Sequence, residues 1–360
     1  MRGQRKLDHL RLAQSLGDGP AKTGFDDIHF VHNCLPEINS AEIRTETVFC
    51  GKKFPLPLLI NAITGGIEEG KRVNRALARA ARQMGIPMAV GSQAAALESS
   101  NVCSTYQVVR EENPGGFFMA NLSAGASPEE ALQAVEMIRA DAIQLHLNIP
   151  QEVTMPAEEG DSFFRGYLEN IRCIAETAPV PVIVKETGFG IAREEALRLL
   201  DTGIAALDIE GKGGTNFIRV EEERKGSPRE EVFFQWGLPT AVSLVEVAEV
   251  AAGRVDIVAG GGLRSGLDIA RVLSLGADMA GIAAPLVRCF YQGGEEAVIK
   301  YLQALEKQLR KVMLMLGAGD VYQLREKPLV ILGETGRWME QRGIRLQTFA
   351  MRGFEKRPEG

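Results

Sequence analysis

The sequence predicts a closed (β/α)8 TIM barrel, an α/β fold carrying an N-terminal extension and a C-terminal helix, and three observations point to it. Short apolar runs, each ending in a small or polar residue, recur eight times along the chain. Segments with apolar residues at three- and four-residue spacing lie between them. The repeat fills roughly the 250 residues that such a barrel needs.

The runs occupy 56–62, 86–90, 116–120, 142–147, 180–184, 205–209, 255–259 and 279–283. Their near-continuous apolar character suits strands buried on both faces, as in a parallel sheet covered by helices. RALARAARQM, SPEEALQAVEMIRA, AREEALRLLDTG, TAVSLVEVAEVAA and SGLDIARVLSLG each read as an amphipathic helix. Ser127, Pro128 and Glu130 supply an N-cap, a proline at the first helical position and a capping-box partner. Gly203 and Gly276 stand where helices should stop. A doubly wound open sheet is the alternative, since strand order is not written in one sequence, but no GxGxxG opens the first unit.

Three segments fall outside the repeat. Residues 1–50 precede the barrel and combine a basic start with FDDIHFVHNCLPEI; the barrel spans 51–345 and a tail covers 346–360. Two connections, 148–165 and 211–237, are long enough to be lids or binding loops. EEAVIKYLQALEKQLRKVMLMLG reads as a long helix that either closes the barrel or packs against a partner subunit.

Composition narrows the function. Lys plus Arg total 41 against 47 Asp plus Glu, a net charge of -6 that gives no reason to expect nucleic-acid binding or adhesion to an anionic membrane. The five cysteines lie far apart with no CxxC pair, which fits a reducing, cytoplasmic setting. MRGQRKLDHLRLAQ has no apolar signal core, and the apolar stretch near 56–63 is broken by Pro57 and Asn61, too short to span a bilayer.

Barrel enzymes build their sites on the loops at the carboxyl ends of the strands. In this chain those positions are Thr64-Gly65-Gly66, Ser92-Gln93, Asn121, 146–152, 185–187, 210–215, Gly260-Gly261-Gly262 and Ala283-Ala284. GGGLRSG before a helix and the small pair Ala283-Ala284 stand where barrels bind phosphate, with Arg264 available for a charge-assisted bond. An ordinary glycine-rich turn would read the same, but the second glycine loop, GKGGTN, favours a mononucleotide-sized anion. Lys185 ends the buried run VPVIVK, so its cation should emerge at the centre of the rim and call for an anionic partner. Snorkelling into water is the bland alternative. In HLNIPQE, Glu152 could ligate Mg2+, which favours one or two carboxylates plus phosphate oxygens; a solvated acidic loop is the competing reading. His146 is as well suited to a satisfied core position as to catalysis. Arg5, Lys6 and His9 form a site only if the basic start folds over the barrel mouth.

Taken together, RKxxH, NAITGG, VGSQ, the ANL around Asn121, HLNxxQE, VKETG, GKGGTNF, QWGLPT, GGLRSG and LVILGETGRWMEQRGI resemble the type 2, FMN-dependent isopentenyl-diphosphate isomerases, in order from Arg5 to about Ile344. The resemblance implies interconversion of isopentenyl and dimethylallyl diphosphate using reduced FMN and Mg2+, with NADPH as reductant and no net oxidation. It implies FMN contacts at Ala62, Ile63, Thr64, Ser92, Asn121, Lys185, Thr215, Gly262, Leu263, Arg264, Ala283 and Ala284. It places Arg5, Lys6, His9, Gln93, Asn148 and Gln151 at the substrate and Glu152 at the metal, with Lys185, Gln151 and His146 as the catalytic group. A small-molecule diphosphate partner and a homo-oligomer, tetramer or octamer, also follow. Two departures stand out: Ile63 replaces a frequent Met, and Ala94 stands where some members have Arg, leaving one diphosphate contact to Arg5, Lys6 and Gln93.

Other readings stay open on the same barrel. A relative of IMP dehydrogenase needs a nucleophilic cysteine in the strand-six loop, which GKGGTN lacks, and a 2-hydroxy-acid oxidase needs a late histidine, whereas none follows His146. A noncatalytic flavin- or phosphate-binding barrel is the alternative from another class.

Overall fold

The computed structural model describes residues 2–226 and 230–354. Eight parallel strands close into one barrel in chain order. They are β1 Leu58–Ile60, β2 Met88–Ala89, β3 Phe118–Ser123 and β4 Ala142–Leu147, then β5 Val182–Glu186, β6 Ala206–Asp208, β7 Asp256–Ala259 and β8 Met279–Ile282. Pairing of Ala280 with Leu58 closes the ring. Every apolar run of the sequence therefore supplies a barrel strand, and the open-sheet alternative is excluded.

Alternation along the strands sorts the barrel interior into levels. Phe49 and Phe54, on a hairpin of Thr47–Phe49 with Lys52–Phe54, meet Phe117 edge-on, at ring distances of 6.4 and 5.5 Å, beneath an apolar floor that includes Leu59, Met119, Ile183, Val258 and Met279. Two residues further along each strand, the same inward face carries polar side chains. Asn61 follows Leu59, Asn121 follows Met119, and Lys185 follows Ile183. The period of two thus lifts chemistry off an apolar base.

The capping box at Ser127 and Glu130 forms as expected, and Gly276 ends its helix in the left-handed region at φ 117. Helices not read from the sequence, Ser104–Glu112 and Tyr167–Thr177, lie in the β2–β3 and β4–β5 connections. The C-terminal helix is the second half of a longer element, Ala284–Leu316, bent where Gly293 and Gly294 leave helical geometry. It packs against helices Glu68–Met84 and Gly266–Leu275 of its own chain. Residues 355–360 of the expected tail and residues 227–229 of the second long connection lie outside the described residues.

Segments on either side of the barrel sequence pair: Ile28–Phe30 runs antiparallel to Leu329–Ile331. The basic start is a helix, α1 Arg2–Ser15, instead of a loose tail. The long connections also hold helices, α2 Ile149–Thr154 and α3 Phe217–Lys225. Among the described residues no helix is long and apolar enough to cross a membrane.

Candidate active site

A cavity of about 430 Å³ opens at the carboxyl ends of the strands, within the range of small-molecule sites. Its floor and wall bring together Ala62, Ile63, Thr64, Ser92, Asn121, His146, Lys185, Thr215, Ala283 and Ala284. Arg5, Lys6 and His9 face them from α1, while Asn148, Gln151 and Glu152 close one side from α2. Residues 150 positions apart in sequence thus share one space because α1 folds across the mouth.

The barrel side is a belt of amides. His146 Nδ1 donates to Asn121 Oδ1 at 2.9 Å, Asn121 Nδ2 to Gln144 Oε1 at 3.0 Å, and Gln144 Nε2 to Asn61 Oδ1 at 3.0 Å. Asn61 Nδ2 then donates to both Asp208 Oδ2 and Glu210 Oε1 at 2.6 Å. Each buried amide donates to the next side chain, which holds the belt in one arrangement. Burial, then Lys185 and Lys6, push the His146 pKa down to about 3, so its ring is neutral near pH 7. Asp208 is fully buried with Oδ1 unpartnered, and burial raises its pKa. Glu210, at φ 29, holds a left-handed backbone that disfavours a side chain, a strain of the kind kept at functional positions.

Lys185 is 5% exposed and sits in register between His146 and Asp208. Its Nζ donates to the Glu186 carbonyl at 2.6 Å. Glu186 Oε2 in turn accepts from the backbone N–H groups of Thr187, Gly188, Phe189 and Gly190 at 2.6–3.2 Å. Burial pushes the Glu186 pKa to about 8 against these donors. The turn they form fixes the strand end from which Lys185 projects.

The lid is organised by Glu221 of α3, which is fully buried. Its Oε1 lies 2.8 Å from His9 Nε2 and accepts from Gln151 Nε2 at 2.7 Å, while Oε2 accepts from Arg224 Nε at 2.8 Å. Arg224 also forks onto Glu159. Burial would raise this carboxyl, but the bonds from His9, Gln151 and Arg224 pull it down to about 2. One carboxylate therefore ties α1, α2 and α3 together. Glu152 Oε1 accepts from Asn148 Nδ2 at 2.6 Å, and its Oε2 from the Asp161 N–H at 2.9 Å, which leaves it ordered on the wall.

Some expected residues stand elsewhere. Gln93 is fully buried, with Nε2 on the Ala134 carbonyl at 2.9 Å and Oε1 taking the Asn121 N–H, so its amide is committed to the core and does not reach the substrate space. Leu263 packs in the core. Arg264 forks onto Asp18, which also takes Arg288 Nη2 at 3.1 Å; the two arginines hold the Asp18 carboxyl below its ordinary value although burial opposes them. Gly262, Leu263 and Arg264 lie beside the cavity and do not line it. The two glycine loops touch: a Cβ at Gly261 would meet the Gly211 carbonyl at 2.0 Å, and one at Gly214 the Gly262 nitrogen at 2.7 Å.

Sequence reading missed Glu221, Asp208, Asn61 and Gln144. Counting two residues on from each floor position would have found the last three. Glu221 sits in the charge run EEERK, which reads as a solvated face until α1 and α2 cover it.

Comparison with known proteins points one way. A family model described as FMN-dependent dehydrogenase matches residues 19–163 and 151–331. An isopentenyl-diphosphate delta-isomerase of Symbiobacterium thermophilum is 44% identical, covering 98% of this chain and 99% of that protein. Proteins of the same name from Moorella thermoacetica and Methanothermobacter thermautotrophicus are 45% and 42% identical over 95% and 98% of this chain, and over 97% and 100% of their own lengths. Among solved structures, a mandelate oxidase with benzoyl-formic acid superposes with a TM-score of 0.65 at 18% identity, covering 91% of this chain and 94% of that one. At that identity the likeness concerns the fold alone.

Proposed function

We propose that this chain, which belongs to the isopentenyl-diphosphate delta-isomerase family, interconverts isopentenyl and dimethylallyl diphosphate at the barrel mouth with FMN as its resident cofactor. The observation that carries the reading is the two-sided cavity, with amides and Lys185 on the barrel side and a basic helix facing them. The barrel side fits a flavin. Thr64 Oγ1 is buried without a partner, and a Cβ at Gly91 would strike the Thr64 backbone at 2.6 Å, so glycine keeps that wall close and flat. Thr64, Ser92, Asn121 and Thr215 would hold the group, Lys185 would face its anionic ring, and Ala283 and Ala284, at the start of a helix, would admit its phosphate.

Moving the double bond requires a proton added at one carbon and another removed nearby, with positive charge developing between. When bound, reduced FMN supplies an anionic ring against which such charge is stabilised. NADPH is the reductant in this reading. The chain's own part is orientation and proton handling. Gln151 and His9 present their polar atoms to the cavity, each braced by Glu221, whose carboxylate stays ionised down to about pH 2. A proton held at His9 Nε2 has that carboxylate as its counter-charge. Arg5 and Lys6 would bind the diphosphate and let its binding energy orient a featureless C5 tail.

Mg2+ is proposed at Glu152. Among the described residues no group of three or more His, Cys, Asp and Glu side chains could hold a metal, and a single carboxylate suits a cation that arrives with diphosphate oxygens. Titration calorimetry should register Mg2+ only in the presence of a diphosphate, and Glu152→Gln should weaken that binding about tenfold while FMN stays bound. Unchanged metal titration in the variant would remove the assignment. A homo-oligomer is part of the same reading, to be measured by light scattering on the eluted protein.

The direct experiment is a flavin spectrum of the purified chain followed by anaerobic reduction of the flavin and incubation with isopentenyl diphosphate. Bound yellow flavin and formation of dimethylallyl diphosphate support the proposal. A colourless protein that takes up no FMN, or one that leaves the substrate unchanged after reduction, overturns it.

A further inference from the structure

We infer that Tyr106 is a positioning residue for substrate binding, its hydroxyl fastening Lys6 of α1 to the barrel so that the ammonium stands at the cavity wall. The inference rests on the reading that α1 meets the diphosphate. Tyr106 is fully buried in the helix Ser104–Glu112, behind the loops that follow β1 and β2. Its hydroxyl donates to the Ser92 carbonyl at 2.6 Å. Lys6 Nζ donates to that same carbonyl at 2.7 Å and to the Tyr106 oxygen at 2.5 Å, which closes a triangle of three polar groups. The Lys6 ammonium also lies 5.1 Å from the centre of the Tyr106 ring.

A phenol has one proton and two lone pairs, so it gives to the carbonyl and accepts from Lys6 at once only while neutral. Burial raises its pKa above the ordinary phenol value, which keeps it so. The glycines of NAITGG make room for the ring. A Cβ at Gly65, whose φ is 156, would lie 2.0 Å from a Tyr106 ring carbon, and one at Gly66 would lie 3.0 Å from the hydroxyl and 2.9 Å from Lys6 Nζ. This rim motif therefore serves to seat an aromatic post under α1. On the far side α1 is tied by His9 to Glu221. The two ties lie three residues apart on one helix, so Tyr106 sets the approach of Lys6 while Glu221 sets that of His9.

The test is Tyr106→Phe, which keeps the ring and its packing and removes the hydroxyl. The KM for isopentenyl diphosphate should rise about fivefold, the size of one ordinary hydrogen bond. Turnover at saturation and FMN affinity, read by quenching of flavin fluorescence, should change less than about twofold. In a Lys6→Met background, Tyr106→Phe should add less than about twofold, because its effect passes through Lys6. Full additivity with Lys6→Met, or a fall in kcat with KM unchanged, overturns the inference. An unchanged KM for Lys6→Met alone removes the reading of α1 beneath it and the inference with it.

Discussion

Lys185 reaches the mouth for a reason visible in five residues of chain. Ile183 points into the floor, Val184 away from it, and Lys185 back inside one level higher, at the centre of a wall where a cation is otherwise costly. Two unit charges 4 Å apart are worth about 4 kcal/mol at an effective dielectric of ~20, and screening at an open mouth takes about half of that. Lys185→Ala should then slow turnover roughly 30-fold while flavin content stays near wild type. An unchanged rate in flavin-matched samples would contradict the assigned role. His146 offers a pH signature. Burial first, then Lys185 and Lys6, hold its pKa at about 3 against an ordinary 6.5. Below pH 6.5 the unfolded chain binds a proton that the folded chain refuses, so stability falls as pH falls, by up to about 1.4 kcal/mol per pH unit. The contribution is fully present above 6.5. His146→Gln should flatten the fall of Tm with pH between 6.5 and about 4, and an unaltered slope would show that the ring does not titrate as described. Both side chains were legible because Lys185 follows one apolar run and His146 stands near the carboxyl end of another. Glu221 was not, since nothing in EEERK distinguishes the carboxylate that ties α1 and α2 from the two glutamates beside it.

At the scale of elements, the strands were more legible than the lid. A strand buried on both faces announces itself by a near-continuous apolar run, and all eight did. α1 has a mostly polar sequence, RGQRKLDHLRLAQS, and among its side chains with described burial only Leu10 is buried, so its helicity follows from docking onto helices that are themselves far away in the chain. α2 and α3 were hidden inside connections whose length signalled function but not conformation. Because Leu10 remains, removing residues 1–9 should leave the barrel folded while deleting Arg5, Lys6 and His9 from the cavity. The KM for isopentenyl diphosphate should rise by at least roughly tenfold, the order expected for one charge-assisted bond to a phosphate. Normal kinetics with an intact melting transition would reduce α1 to a cover without a binding role.

For the whole molecule, the barrel decides where chemistry is possible and the residues on its rim decide which. The same architecture superposes on mandelate oxidase at 18% identity, yet no histidine follows His146 in this chain, and the rim offers amides, Lys185 and a carboxylate-braced lid in place of a late base. The glycine loops were legible as rim elements, but their main geometric demand turned out to be mutual contact between Gly211 and Gly261, a packing constraint that composition alone does not separate from phosphate binding. In the proposed reaction the flavin works without net oxidation or reduction of substrate. Anaerobic conversion of isopentenyl diphosphate should be followed against NADPH consumed, starting from the oxidised holoenzyme. No product should form until a small amount of NADPH has reduced the flavin, and then many product molecules for each NADPH. One NADPH oxidised per product, or full activity with the flavin oxidised, would contradict it.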